Sequence, residues 1–105
     1  MSRYRLVLVT APNAAEAERI AQKVVQKGLA ACVNIVPKLL SIYRWEGNIE
    51  RDMETLLVIK STKKALPKLK KKIKKMHSYK VPEILVLKVD DGDREYLDWI
   101  DSVVK

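Results

Sequence analysis

Between Ala30 and Ser61 the chain carries two apolar runs that are too long for the body of a small domain. The first, Ala30-Ala31-Cys32-Val33-Asn34-Ile35-Val36, continues past Pro37 through Leu39, Leu40, Ile42 and Tyr43 to Trp45, and the second runs from Met53 to Ser61. About 15 residues of strand at roughly 3.3 Å each reach about 50 Å, whereas a compact chain of this length measures about 33 Å across. The ribbon must protrude. A protruding two-stranded ribbon is marginal in water, and Leu39, Leu40, Ile42, Tyr43 and Trp45 leave it adhesive unless another chain covers it. Self-association through this arm is therefore expected before any ligand is considered.

The remaining segments assign themselves. Tyr4 to Thr10 holds the continuous run Leu6-Val7-Leu8-Val9, which suits a strand buried on both faces. A helix is expected over 14–27: Asn13 caps it, Glu16 reaches back as in a capping box, Ala17, Ile20, Ala21 and Val24 form its stripe, and Gly28 stops it. Pro37 removes a ladder donor and predicts a bulge or edge there, while Glu46-Gly47-Asn48 closes a hairpin into Met53–Ser61. A second helix is expected over 64–76, with Pro67 confined to its first turn. Val81-Pro82 leads into a strand containing Ile84, Leu85, Val86, Leu87 and Val89. Asp93 then caps a last helix with Tyr96, Leu97, Ile100 and Val103 or Val104 inward and Asp98 and Asp101 in solvent.

With 105 residues, 48% of them hydrophobic, one domain over 1–105 with a modest core is expected. The order β-α-β-β-α-β plus a terminal helix is the split βαβ pattern. The fold class is α+β: a ferredoxin-like antiparallel sheet with helices on one face, a long second-to-third-strand hairpin and an extra C-terminal helix. Strand residues are apolar on both sides, so the uncovered sheet face also calls for a partner. Met1-Ser2-Arg3-Tyr4-Arg5 leads directly into a strand, no apolar run approaches membrane-spanning length, and Cys32 is the sole cysteine. These features point to a cytoplasmic protein without a membrane partner.

The formal charge of +8 is local: ten lysines and no acidic residue lie between Lys60 and Lys80, and the rest of the chain is slightly acidic. Leu66, Leu69, Ile73 and Met76 make one stripe of an amphipathic helix with lysines on its other faces. Arg and aromatic residues that would read bases are few there, so no specific nucleic-acid partner is expected. With three glycines in all, there is no phosphate-cradling loop, and neither a Ser-His-Asp spacing nor a paired-cysteine motif occurs. An enzyme is not expected.

Five motifs occur in order: Val9-Thr10-Ala11-Pro12; Leu29-Ala30-Ala31-Cys32-Val33-Asn34-Ile35; Tyr43-Arg44-Trp45-Glu46-Gly47; His77-Ser78-Tyr79-Lys80-Val81-Pro82-Glu83-Ile84; and Tyr96-Leu97-Asp98-Trp99. With these the chain resembles the divalent-cation tolerance (CutA) family from end to end. The resemblance implies a cytoplasmic homotrimer of ferredoxin-like protomers, similar in architecture to PII signalling proteins and linked in bacteria to tolerance of copper and other divalent metals. Animal members are associated with anchoring of acetylcholinesterase. Where bacterial relatives credited with copper binding place a cysteine and two adjacent histidines, this chain has Val9, Met76 and Ser78 beside the retained His77.

Soft metal ions want thiolate, imidazole or thioether donors, and the donors available here are Cys32, His77 and Met76. One chain supplies too few, so a copper site would be shared across the homotrimer. Cys32 also fits as a small buried apolar side chain, and His77 as an imidazole complementing the end of a helix. A second expected constellation is a ligand pocket of Lys60, Tyr79 and Glu83 with Trp45, suited to a divalent metal or small anionic ligand. The trimer interface is expected to involve Leu39, Leu40, Ile42, Tyr43, Trp45 and Trp99. No cofactor is obligatory; copper or another divalent metal is the expected ligand. Function by binding rather than turnover follows, with a trimeric adaptor or PII-like signalling protein as the alternative.

Overall fold

The computed structural model describes residues 2–105 and runs β1 (Tyr4–Ala11), α1 (Ala14–Gln26), β2 (Cys32–Trp45), β3 (Asn48–Thr62), α2 (Leu66–Met76), β4 (Ile84–Lys88) and α3 (Arg94–Val103). The four strands form one antiparallel sheet in the order β2-β3-β1-β4, the expected α+β arrangement. Strand β1 is central, which is why its apolar run is continuous.

Side-chain alternation along β1 sorts the molecule into two sides. Val7, Val9 and Ala11 join Ile20 and Val24 of α1, Leu57 and Ile59 of β3, and Leu69 and Ile73 of α2 in the main core. Each fully buried aliphatic side chain contributes about 1.5–3 kcal/mol relative to exposure. Tyr4 points the other way and packs with Ala31 and with Leu97 and Ile100 of α3. Thus α1 and α2 share one face, and α3 lies over one end of the opposite face rather than beside them. Most of that opposite face is open: Leu6 lies between Lys60 of β3 and Leu87 of β4, and Leu8 between Val58 and Leu85, with Leu85 and Leu87 exposed.

The hairpin of β2 and β3 accounts for the elongation of the molecule, 44 × 25 × 23 Å. Its register shifts between Val36 and Leu39, where Lys38 has φ 61, so the expected bulge at Pro37 is present. Strand β3 begins at Asn48, five residues before the Met53 inferred from hydropathy, because Ile49-Glu50-Arg51-Asp52 is polar enough to read as loop while being fully paired. The connection is therefore the two-residue turn Glu46-Gly47, with φ of 49 and 83, a type I′ geometry whose twist matches that of the strands.

Four further expectations change. Asn13 does accept from the backbone N–H of Glu16, but the Glu16 carboxylate turns away from the cap toward Ser78. Helix α2 starts at Leu66 behind a 3-10 turn at Lys63–Ala65, with Pro67 in its first turn as required. Asp101 is not free in solvent: it accepts from Tyr4 Oη at 2.5 Å and from Arg3 at 2.6 and 3.1 Å, tying α3 to the start of β1. Tyr96 lies partly exposed, while Val104 packs inward beside Leu97 and Ile100. Gly28 takes φ 70 and ends α1 as expected.

Candidate functional site

Strand β4 is shorter than its neighbours, and that shortness creates the site. Its pairing with β1 begins at Ile84 opposite Val9. The Tyr4 carbonyl points toward β4, where it accepts from Val89, and alternation sends the Thr10 carbonyl to the same side, past the end of β4. His77 fills that place: its Nε2 lies 2.6 Å from the Thr10 oxygen. Its Nδ1 accepts from the Tyr79 N–H at 3.0 Å, which assigns the neutral tautomer with hydrogen on Nε2. The Glu16 carboxylate, 3.4 Å from Nδ1, accepts from both the N–H and the hydroxyl of Ser78. Buried Glu16 and His77 thus bind α1, β1 and the segment after α2 together without an unpaired buried polar side chain among the described residues.

This anchor sets the course of residues 78–83, which bend through 78–81 before Pro82, and places Tyr79 over the sheet. Tyr79 Oη donates to Glu54 Oε2 at 2.8 Å. Burial first, and the Glu54 hydrogen bond second, raise the Tyr79 phenol above its ordinary pKa. Tyr43 donates to Asp52, and that bond is the main reason its phenol is pushed up to about 12. Between the arm and this segment lies a cleft of about 620 Å³ whose walls include Tyr43, Trp45, Glu54, Tyr79, Lys80 and Glu83. Its polar groups are chiefly oxygen donors, a set suited to a hard or borderline cation or to hydrogen bonding of a small ligand.

Three of the four residues expected in a ligand pocket, Trp45, Tyr79 and Glu83, line this cleft. Lys60 does not. It pairs with Cys32 across β2 and β3, and its ammonium lies 3.6 Å from Cys32 Sγ and against the Asn34 side chain. Tyr96 of α3 closes this second group, its phenol raised by burial and by Cys32, and Trp99 packs against it with a tilted ring, centroids 5.6 Å apart.

Cys32, Met76 and His77 are not gathered in one protomer. Cys32 sits opposite Lys60, four residues along β3 from the Leu56–Thr10 pair beside His77, roughly 13 Å away at strand spacing. Both His77 nitrogens are engaged, and Met76 packs against the core. Among the described residues no three His, Cys, Asp or Glu side chains form a metal-ready group. Of the expected interface residues, Leu40, Ile42, Tyr43, Trp45 and Trp99 are exposed and Leu39 is half-buried.

Sequence reasoning missed Glu54, Tyr43 and Lys80 as cleft residues. Glu54 did carry a signal: it is in phase with Leu56 and Val58, so an acidic group stands in line with an apolar face. It is only 8% exposed.

The same architecture recurs in known proteins. The model of the CutA1 divalent ion tolerance protein family matches residues 5–103. The divalent-cation tolerance protein CutA of Thermus thermophilus is 53% identical over 95 residues, covering 90% of this chain and 92% of its own. Mouse protein CutA is 43% identical over 97 residues; these are 92% of this chain but 55% of the mouse protein, so the chain spans about half of that relative. The Thermus thermophilus divalent cation tolerance protein structure superposes with a TM-score of 0.95 at 49% identity, covering 97% and 99% of the two chains. A structure described as the periplasmic divalent cation tolerance protein CutA of Archaeoglobus fulgidus gives 0.94 at 40% identity, covering 97% and 99%. With the short β4, the long arm and the His77–Pro82 segment all falling inside the matched residues, this chain belongs to the CutA1 divalent ion tolerance protein family.

Proposed function

We infer that the protein acts by binding rather than turnover, as a homotrimer that holds a divalent metal ion, copper foremost, at the seams between its subunits. One observation carries the reading: exposed apolar surface runs from Leu85 and Leu87 across the sheet to Val36, Tyr43 and Trp45 on β2, and it ends at a cleft bearing Glu54 and Glu83. Such a surface favours burial against sister chains. It would set each cleft beside a neighbour able to complete a coordination sphere that one chain leaves short. Glu54 and Glu83 are the donors best placed for this. The set Cys32, Met76 and His77 would serve only with donors from sister chains and with His77 released from Thr10. The single thiol fits a reducing, cytoplasmic setting, although relatives carry the names chloroplastic and periplasmic.

The aromatic wall and Lys80 favour a second reading, a trimeric PII-like or adaptor protein whose cleft takes a small anionic ligand. Light scattering is expected to give three times the 12.0 kDa chain mass. Copper titration is expected to show saturable binding that Glu54→Gln weakens at least about tenfold, the size of one lost charge-assisted contact. A well-folded 12.0 kDa species removes the assembly, and a trimer whose copper affinity ignores Glu54→Gln and Glu83→Gln favours the second reading.

A further inference from the structure

Lysines crowd the outward side of α2, and among the described residues no acidic group answers them. Eight lie between Lys63 and Lys75 with no Asp or Glu among them, and among the described residues none forms an ion pair. Lys68, Lys71 and Lys75 follow helical steps of three and four, with Lys64 in line just ahead. They make a crest opposite Leu69 and Ile73, both fully buried. Lysines three and four apart repel one another. Lys63 and Lys64 also stand at the positive end of the helix, whose first turn has no acidic residue. The crest is thus an electrostatic conflict that a bound polyanion would relieve.

We propose that this crest docks, without regard to sequence, on the phosphate backbone of nucleic acid. From Lys64 to Lys75 it extends about 17 Å, the rise of about five base pairs. The interval 63–76 contains no Arg and no aromatic residue, so the groups that read base edges or stack on bases are missing and contact ends at the phosphates. An anionic bilayer is the poorer match. A helix lying on a membrane inserts its apolar face, and that of α2 is consumed by the main core. The crest is also on the opposite side of the sheet from the open apolar face, so covering that face leaves it free.

Fluorescence anisotropy with two unrelated duplexes tests this, alongside vesicles of phosphatidylserine and phosphatidylcholine. Both duplexes should bind alike at about 50 mM salt, with affinity falling about 100-fold by about 200 mM, as expected for release of counterions from about four phosphates. The triple variant Lys68→Gln, Lys71→Gln, Lys75→Gln should lose most of this binding, whereas the charge-matched Arg44→Gln, Lys88→Gln, Arg94→Gln should stay within about twofold. Lys71→Gln alone should lower the salt slope by about one unit, which keeps the test available should the crest triple fail to fold. The proposal is overturned by absence of binding at the lower salt, by equal losses in the two triples, by a preference for one duplex of more than about tenfold, or by tighter binding to the vesicles.

Discussion

At the residue scale the decisive contacts are those of Glu16 and His77. Glu16 is 5% exposed and is the sole side-chain acceptor for both polar groups of Ser78. Glu16→Ala is expected to cost roughly 2–4 kcal/mol, the loss of a buried acceptor with two donors left unpaired, read as a lower urea midpoint with unchanged slope. Tyr43 and Tyr79 make a separate prediction. Their phenols are held above the ordinary value of 10.0, so the folded state retains those protons more tightly than the unfolded chain. The associated stability is complete below pH 10.0 and fades as pH rises beyond it. Ultraviolet titration should therefore show all four tyrosines ionising above the ordinary value, with Tyr43 and Tyr79 last, and Tyr43→Phe should remove one of those last two. Asp101 works in the opposite sense: Arg3 first and Tyr4 second hold its carboxyl below 3.8, so its contribution is lost only in acid below that value.

At the element scale the arm and α2 show what sequence pattern can and cannot reach. Apolar periodicity was enough to place α1, α2 and α3 and to foresee the bulge beside Pro37, since those signals come from residues whose own burial or ring geometry fixes the local backbone. The start of β3 was hidden because Glu50, Arg51 and Asp52 are paired in a ribbon exposed on both sides, where hydropathy carries no period. The turn offers a check. Glu46 occupies a left-handed conformation at φ 49 that costs a non-glycine residue about 1–2 kcal/mol, whereas Asn tolerates it. Glu46→Asn is expected to stabilise the protein by about 0.5–1 kcal/mol, seen as a melting temperature higher by several degrees.

At the scale of the whole molecule the open sheet face governs behaviour. Leu85, 56% exposed in the isolated chain, lies beside Leu8 at its centre. Should subunits meet there, Leu85→Glu would bury an unpaired charge and shift the light-scattering mass toward the 12.0 kDa of one chain. An unchanged mass would place the interface elsewhere. The candidate site was half legible: Trp45, Tyr79 and Glu83, expected together, line one cleft, while Lys60 lies at the other end of the sheet beside Cys32. Strand order alone does not say which end of β3 faces the loop after α2. That depends on register, and Cys32 opposite Lys60 settles it.

The order of strands and helices, the protruding arm and the lysine-laden helix were determined by the sequence itself, because each arises from local periodicity, ring constraints or charge count. The tertiary structure alone decided that His77 would complete the ladder at Thr10, that Glu16 would leave its cap for Ser78, and that α3 would cross to the other face of the sheet. Those outcomes depend on which backbone groups remain unpaired where β4 ends, a property of strands far apart in sequence that no single segment encodes.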